Sequence, residues 1–72
     1  MTAYEAVQKL IGIATDESIG EDIRHSAIQG LGHAALFGAR EALVGLLDNA
    51  GTPRLRGAAA VALGMSVQRE SM

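Results

Sequence analysis

Apolar residues along this chain recur at the spacing of one helix face. Ala3, Val7, Leu10, Ile11 and Ala14 stand at i, i+4, i+7, i+8 and i+11, and Ala39, Leu43, Leu46, Leu47 and Ala50 repeat those intervals. Ile23, Ala27, Gly30, Leu31 and Ala34 do the same. A period near 3.6 collects such positions on one side of a helix, whereas the alternation of a half-buried strand is nowhere sustained. The punctuation agrees. Thr2 with Glu5 and Ser18 with Glu21 have capping-box spacing, Thr52 before Pro53 reads as an N-cap followed by proline at the first helical position, and Gly38 and Gly51 fall where the chain must reverse. The pattern predicts an all-α fold of four antiparallel helices at about 3–14, 21–36, 39–49 and 53–67.

Two of these helices are written twice. At a shift of 32, Arg24, Ala27, Leu31 and Gly32 return as Arg56, Ala59, Leu63 and Gly64, and Ile23, Ser26 and Gly30 return in kind or size as Leu55, Ala58 and Ala62. At a shift of 36, Ala3, Glu5, Ala6, Val7, Leu10, Ile11 and Ala14 match Ala39, Glu41, Ala42, Leu43, Leu46, Leu47 and Ala50. The four extra residues fall in the connection between the first two helices, where a repeat protein tolerates insertion. The expected layout is one repeat domain, with a half repeat at 1–16, a repeat at 21–49, a half repeat at 53–67 and a tail at 68–72.

Glycines inside the predicted helices each cost on the order of 1 kcal/mol relative to alanine, so they need a structural return. The expected return is close helix approach along Ala27 and Gly30 against Ala58, Ala59 and Ala62, while Gly32 and Gly64 loosen or end their helices. Composition sharpens the picture. A chain of 72 residues buries only roughly 60–65% of its unfolded surface. With no cysteine it has neither disulfides nor thiolate metal sites to reinforce it, so further burial is expected from association. Tyr4 and Phe37 are the only aromatics. A net charge of -2 and scattered basic residues argue against nucleic-acid binding, which needs a basic face to displace counterions. No apolar run approaches the roughly 20 residues that span a bilayer, and the N-terminus does not read as a secretory leader. A cytoplasmic location is the expectation.

The run Ile23-Arg24…Ala27…Gly30-Leu31-Gly32, then Glu41-Ala42-Leu43…Leu46-Leu47-Asp48, then Leu55-Arg56…Ala58-Ala59…Ala62-Leu63-Gly64 resembles the HEAT-like repeats of the phycobilin-lyase type. The resemblance covers residues 21 to 67, with 3 to 14 as a further half repeat. It implies a short α-solenoid of helical hairpins in which the first and third helices line a concave ridge. Two departures stand out. The stretch His33 to Arg40 is longer than the family's turn and lacks its Asp-Pro, which predicts that the second helix runs on past Gly32. The order is also inverted, because the chain begins with the leucine-rich helix and ends on an arginine-bearing one. Both terminal helices then lack a neighbour, which predicts a homo-oligomer joined through those open helices.

No constellation of reactive residues survives inspection. Gly30-Leu31-Gly32-His33-Ala34-Ala35 has the letters of a dinucleotide fingerprint but follows no strand, and its Leu-Gly recurs in the repeat. Asp22, His25 and Ser26 suggest a hydrolase, yet adjacent helical residues point about 100° apart and cannot readily form the Ser–His hydrogen bond. His25 and His33 are eight apart, not the four that pairs imidazoles on one helix. Asp16, Glu17, Glu21 and Asp22 lack calcium-loop spacing. They read as solvated charge, with contact to Arg54 and Arg56 of a neighbouring copy as the alternative. The recurring Arg24 and Arg56 suit a structural role in which a guanidinium grips a carbonyl or carboxylate of the adjoining helix.

The resulting expectation is a protein-binding or scaffold module without catalytic, cofactor or metal residues. Its contact ridge is expected to carry Tyr4, Gln8, Lys9, Arg40 and Val44, with Glu5 and Glu41 beside them, and Tyr4 as the anchor because aromatics dominate binding hot spots. The alternative implied by the resemblance is a lyase-associated or chaperone-like subunit.

Overall fold

Four helices make up the chain in the computed structural model, which describes residues 1–34 and 36–71, with side chains up to 68: α1 (Ala3–Thr15), α2 (Glu21–Gly32), α3 (Ala39–Asn49) and α4 (Pro53–Ser71). Position 35 and Met72 lie outside the described residues. There are no strands among the described residues. α1 and α3 follow the boundaries the periodicity predicts. At α1 the capping box is complete: the Glu5 N–H donates to Thr2 Oγ1 at 3.1 Å and the Thr2 N–H donates to Glu5 Oε1 at 3.0 Å, which holds the Glu5 carboxyl below its ordinary pKa. Thr52 caps α4 by accepting from the Leu55 N–H at 3.3 Å, with Pro53 as the first helical residue.

Three expectations fail. α2 stops at Gly32 and does not reach 36. The His33 N–H bonds to the Gly30 carbonyl and the Ala34 N–H to that of Leu31, so the last turn tightens. Ser18 does not cap α2. Its N–H and hydroxyl both donate to Asp16 Oδ1, at 2.9 and 2.6 Å, closing a turn on the earlier residue and lowering the Asp16 pKa, while Gly20 occupies the N-cap. Gly64 neither ends nor loosens its helix, since α4 continues to Ser71, past the expected end at 67 and through most of the expected tail.

α2 packs against α1 and α4, and α3 packs against α4, with lesser contact between α2 and α3 and between α1 and α3; among the described residues none joins α1 to α4. Arg24 of α2 reaches Ala14 near the end of α1, and Gly30 near the end of α2 faces Leu10, so α1 and α2 are antiparallel. α2 and α4 run side by side in one direction. Their first turns are tied by Arg54 Nη1, which lies 3.0 Å from Glu21 Oε2 and 3.2 Å from Asp22 Oδ1, and further along Gly32 lies against Ala62. Of the four acidic residues, Glu21 and Asp22 therefore meet Arg54 of the same chain.

The fully buried apolar side chains Ile28, Leu31, Leu43, Leu55 and Ala59 form the centre of the core, joined by Val7, Ala14, Ala27, Ala39, Leu46 and Ala62. Gly32 ends α2 as expected, but it also takes the close-approach role expected of Gly30. Gly30 faces the flexible Leu10 side chain, and it is Gly32 that allows close approach: a Cβ there would lie 2.9 Å from both Cα and Cβ of Ala62. A helix backbone cannot rotate away, so only glycine fits without displacing α4.

Candidate interaction surfaces

The loop that replaces the expected end of α2 builds an aromatic corner. Phe37 has φ of 58° and Gly38 has φ of 87°. The left-handed region costs a non-glycine residue roughly 1–2 kcal/mol, and Phe37 is held there from α1. The Gln8 side-chain amide donates to the Phe37 carbonyl at 2.7 Å, and the Tyr4 and Phe37 rings meet edge to face with centroids 5.5 Å apart. Both rings remain open to solvent, Tyr4 at 55% and Phe37 at 43%, and Leu36 is exposed beside Phe37. Gly38 then starts α3, its left-handed conformation turning the chain into the helix.

Of the residues expected on the ridge, Tyr4, Gln8 and Lys9 are exposed on α1, and Val44 is exposed on α3. Arg40 is half-buried. Glu5 is engaged in the cap of its own helix and Gln8 in holding Phe37. Phe37 is the residue that periodicity missed. It lies outside every apolar stripe, and its closeness to Tyr4 depends on a loop conformation that no spacing encodes.

The repeat positions share letters but not surroundings. Arg24 is only 8% exposed and its Nε donates to the Ala14 carbonyl at 3.1 Å, the grip expected of it. Arg24 also lines a shallow groove between α1 and α3, together with Glu17 and Asn49. Arg56, its counterpart, is exposed. Ala27 and Leu31 are buried, as is Ala59, while Leu63 is half-buried. Gly32 is closed by Ala62, but a Cβ at Gly64 would meet nothing within 4 Å.

A second groove, of about 510 Å³, runs between α2 and α4 and is lined by His25, Gln29, His33, Val61 and Met65 among others. His25 is half-buried and His33 exposed. Among the described residues no three potential metal ligands cluster, and no helix is long and apolar enough to cross a membrane. At the first turns of α2 and α4 the Thr52 hydroxyl and Arg54 both bond Glu21, and together they hold its carboxyl below the usual range. This couples the cap of α4 to the start of α2. Comparison with protein-family models, with curated proteins and with solved structures returned no match.

Proposed function

We propose that this chain is a HEAT-like helical-hairpin module of the solenoid type that works by binding another protein through the ridge of α1 and α3, and that it performs no chemistry of its own. The internal repeat and the side-by-side direction of α2 and α4 support the hairpin reading. The observation that carries the binding reading is the Tyr4–Phe37 corner. Strained backbone persists where the surroundings over-determine it and is concentrated at binding and switching sites. Here the strain is maintained by Gln8 while both rings stay half exposed. Aromatics fixed in advance lose little conformational freedom on binding, which suits them as anchors.

The test is affinity capture from the native host's lysate with three baits: the wild type, Tyr4→Ala/Phe37→Ala, and His25→Ala as a control on the other groove. Each bait is first checked for wild-type helicity by circular dichroism. A protein retained by the wild type and by His25→Ala, but reduced roughly tenfold with the double variant, is the expected outcome. Equal retention on all three baits overturns the ridge.

A further inference from the structure

Equivalent positions of the two helix pairs differ in burial in a consistent sense. In the first pair, Gly32 of α2 is closed by Ala62 of the second, Ile28 is fully buried, and Arg24 is buried where it shares a groove with Ala42, Gly45 and Leu46 of α3. Their counterparts on α4, Ala60, Arg56 and Gly64, are exposed. The reverse holds on the other side. Leu55 of α4 and Ala39 of α3 are fully buried, while their counterparts Ile23 and Ala3 are exposed, Ile23 at 60%. The outer face of α3 and α4 and the outer face of α1 and α2 are thus two halves of an interface that the chain already makes once, internally.

We propose that a second copy of this chain occupies the outer face of α4, stacked head to tail so that its α1 and α2 sit on α3 and α4 as α3 and α4 sit on α1 and α2. This deepens the hairpin-module reading and rests on its repeat. Two observations favour a copy over an unrelated occupant. The first is continuity: the relation that brings Ala62 onto Gly32 within the chain brings Gly30 of the second copy onto Gly64, where the space is open. The second is charge. Within the chain Arg54 meets Asp22 at 3.2 Å, and since Asp22 is the repeat counterpart of Arg54, the same relation sets Asp22 of the second copy against Arg54 of the first. Asp22 has a side chain 94% exposed and Arg54 one 48% exposed, so both can take a further partner. Such a contact is heterologous, joining unlike faces, and it leaves each assembly able to add another copy.

Blocking one face at a time tests this. Ala60→Glu closes the α4 face and Ile23→Glu closes the α2 face; both sites are exposed in the chain, so the fold is retained, which circular dichroism checks. Gly64→Glu is the second α4 variant, since it adds helix propensity and meets nothing within 4 Å. Mass is measured by light scattering or sedimentation up to protein concentrations on the order of 100 µM, where contacts of micromolar affinity are populated. The wild type is expected to rise above 7.4 kDa with concentration, each variant alone to stay at 7.4 kDa, and an equimolar mixture of an α4 variant with Ile23→Glu to form a one-to-one pair of twice that mass. A monomeric wild type overturns the proposal and leaves the face to a different protein. Self-association of Ile23→Glu overturns it in favour of symmetric pairing through α4, and failure of the mixture to pair overturns the head-to-tail geometry. A monomer that still captures its partner through Tyr4 and Phe37 sinks the stacking alone, whereas stacking without capture sinks only the ridge.

Discussion

Gly32 and Gly64 occupy the same repeat position, and the structure assigns them opposite responses to one added methyl group. At Gly32 the new Cβ would stand 2.9 Å from the Cα and Cβ of Ala62 and 3.2 Å from its carbonyl oxygen. Carbon atoms settle about 3.5–4.0 Å apart, so α2 and α4 must separate by several tenths of an ångström along their whole contact. Overpacking of this kind costs about 1–3 kcal/mol. Gly32 is the last residue of α2, and the propensity gained there is below the roughly 1 kcal/mol of a helix interior. Gly32→Ala is therefore expected to destabilise by about 1–2 kcal/mol. Gly64 lies inside α4 with nothing near its Cβ position, so Gly64→Ala gains up to about 1 kcal/mol. In a domain this small each kilocalorie moves Tm by about 4–8 °C, which separates the two variants by roughly 5–25 °C. Urea and thermal unfolding followed by circular dichroism at low micromolar protein, below the range of self-association, reads this directly. Two variants that shift in the same direction by similar amounts would refute the account, because propensity alone would then explain both.

The arginines give a second contrast: Arg24→Ala removes a buried charged donor from the Ala14 carbonyl and is expected to cost about 1.5–3 kcal/mol, whereas Arg56→Ala at an exposed site stays within about 0.5 kcal/mol in a monomer. Chemical denaturation measures both, and equal effects would show that the buried bond contributes nothing. Acid stability gives a third. The Glu21 carboxyl is held below its unfolded value of 4.5 by Thr52 and Arg54, so it adds stability that is present above that value and is lost as pH falls through the lower folded pKa. Glu5 and Asp16 act in the same direction. Tm is expected to hold from neutrality to about pH 5 and then to decline, with a shallower decline in Glu21→Gln; identical profiles for the two proteins would remove Glu21 from the explanation.

The helices and most of their ends could be read from the chain alone. Spacing of Val7, Leu10 and Ala14, and of Leu43, Leu46 and Ala50, determined which faces turn inward, because burial of one stripe is what stabilises a helix of this length. Thr2, Thr52 and Pro53 act within a single turn, and local chemistry is written in local sequence. The repeat also identified Arg24 as a residue that grips a neighbouring carbonyl. The aromatic corner was not legible in the same way. Tyr4 could be picked out, but its partner Phe37 is positioned by a left-handed residue and by a hydrogen bond from Gln8, 29 positions earlier.

By itself, the sequence determined an all-helical chain, where each helix begins and the inward stripes of α1 and α3, and it carries one residue pattern twice, since each follows from periodicity and capping over a few residues. Only the tertiary structure decided where α2 stops, which glycine allows close approach, that Arg54 closes onto Glu21 and Asp22, and which copy of each repeated residue is buried. Those outcomes depend on what stands opposite a residue. Arg24 and Arg56, or Gly32 and Gly64, are the same letters at matching positions of the sequence pattern, and they diverge because one member of each pair is covered by another helix of the chain and the other is exposed.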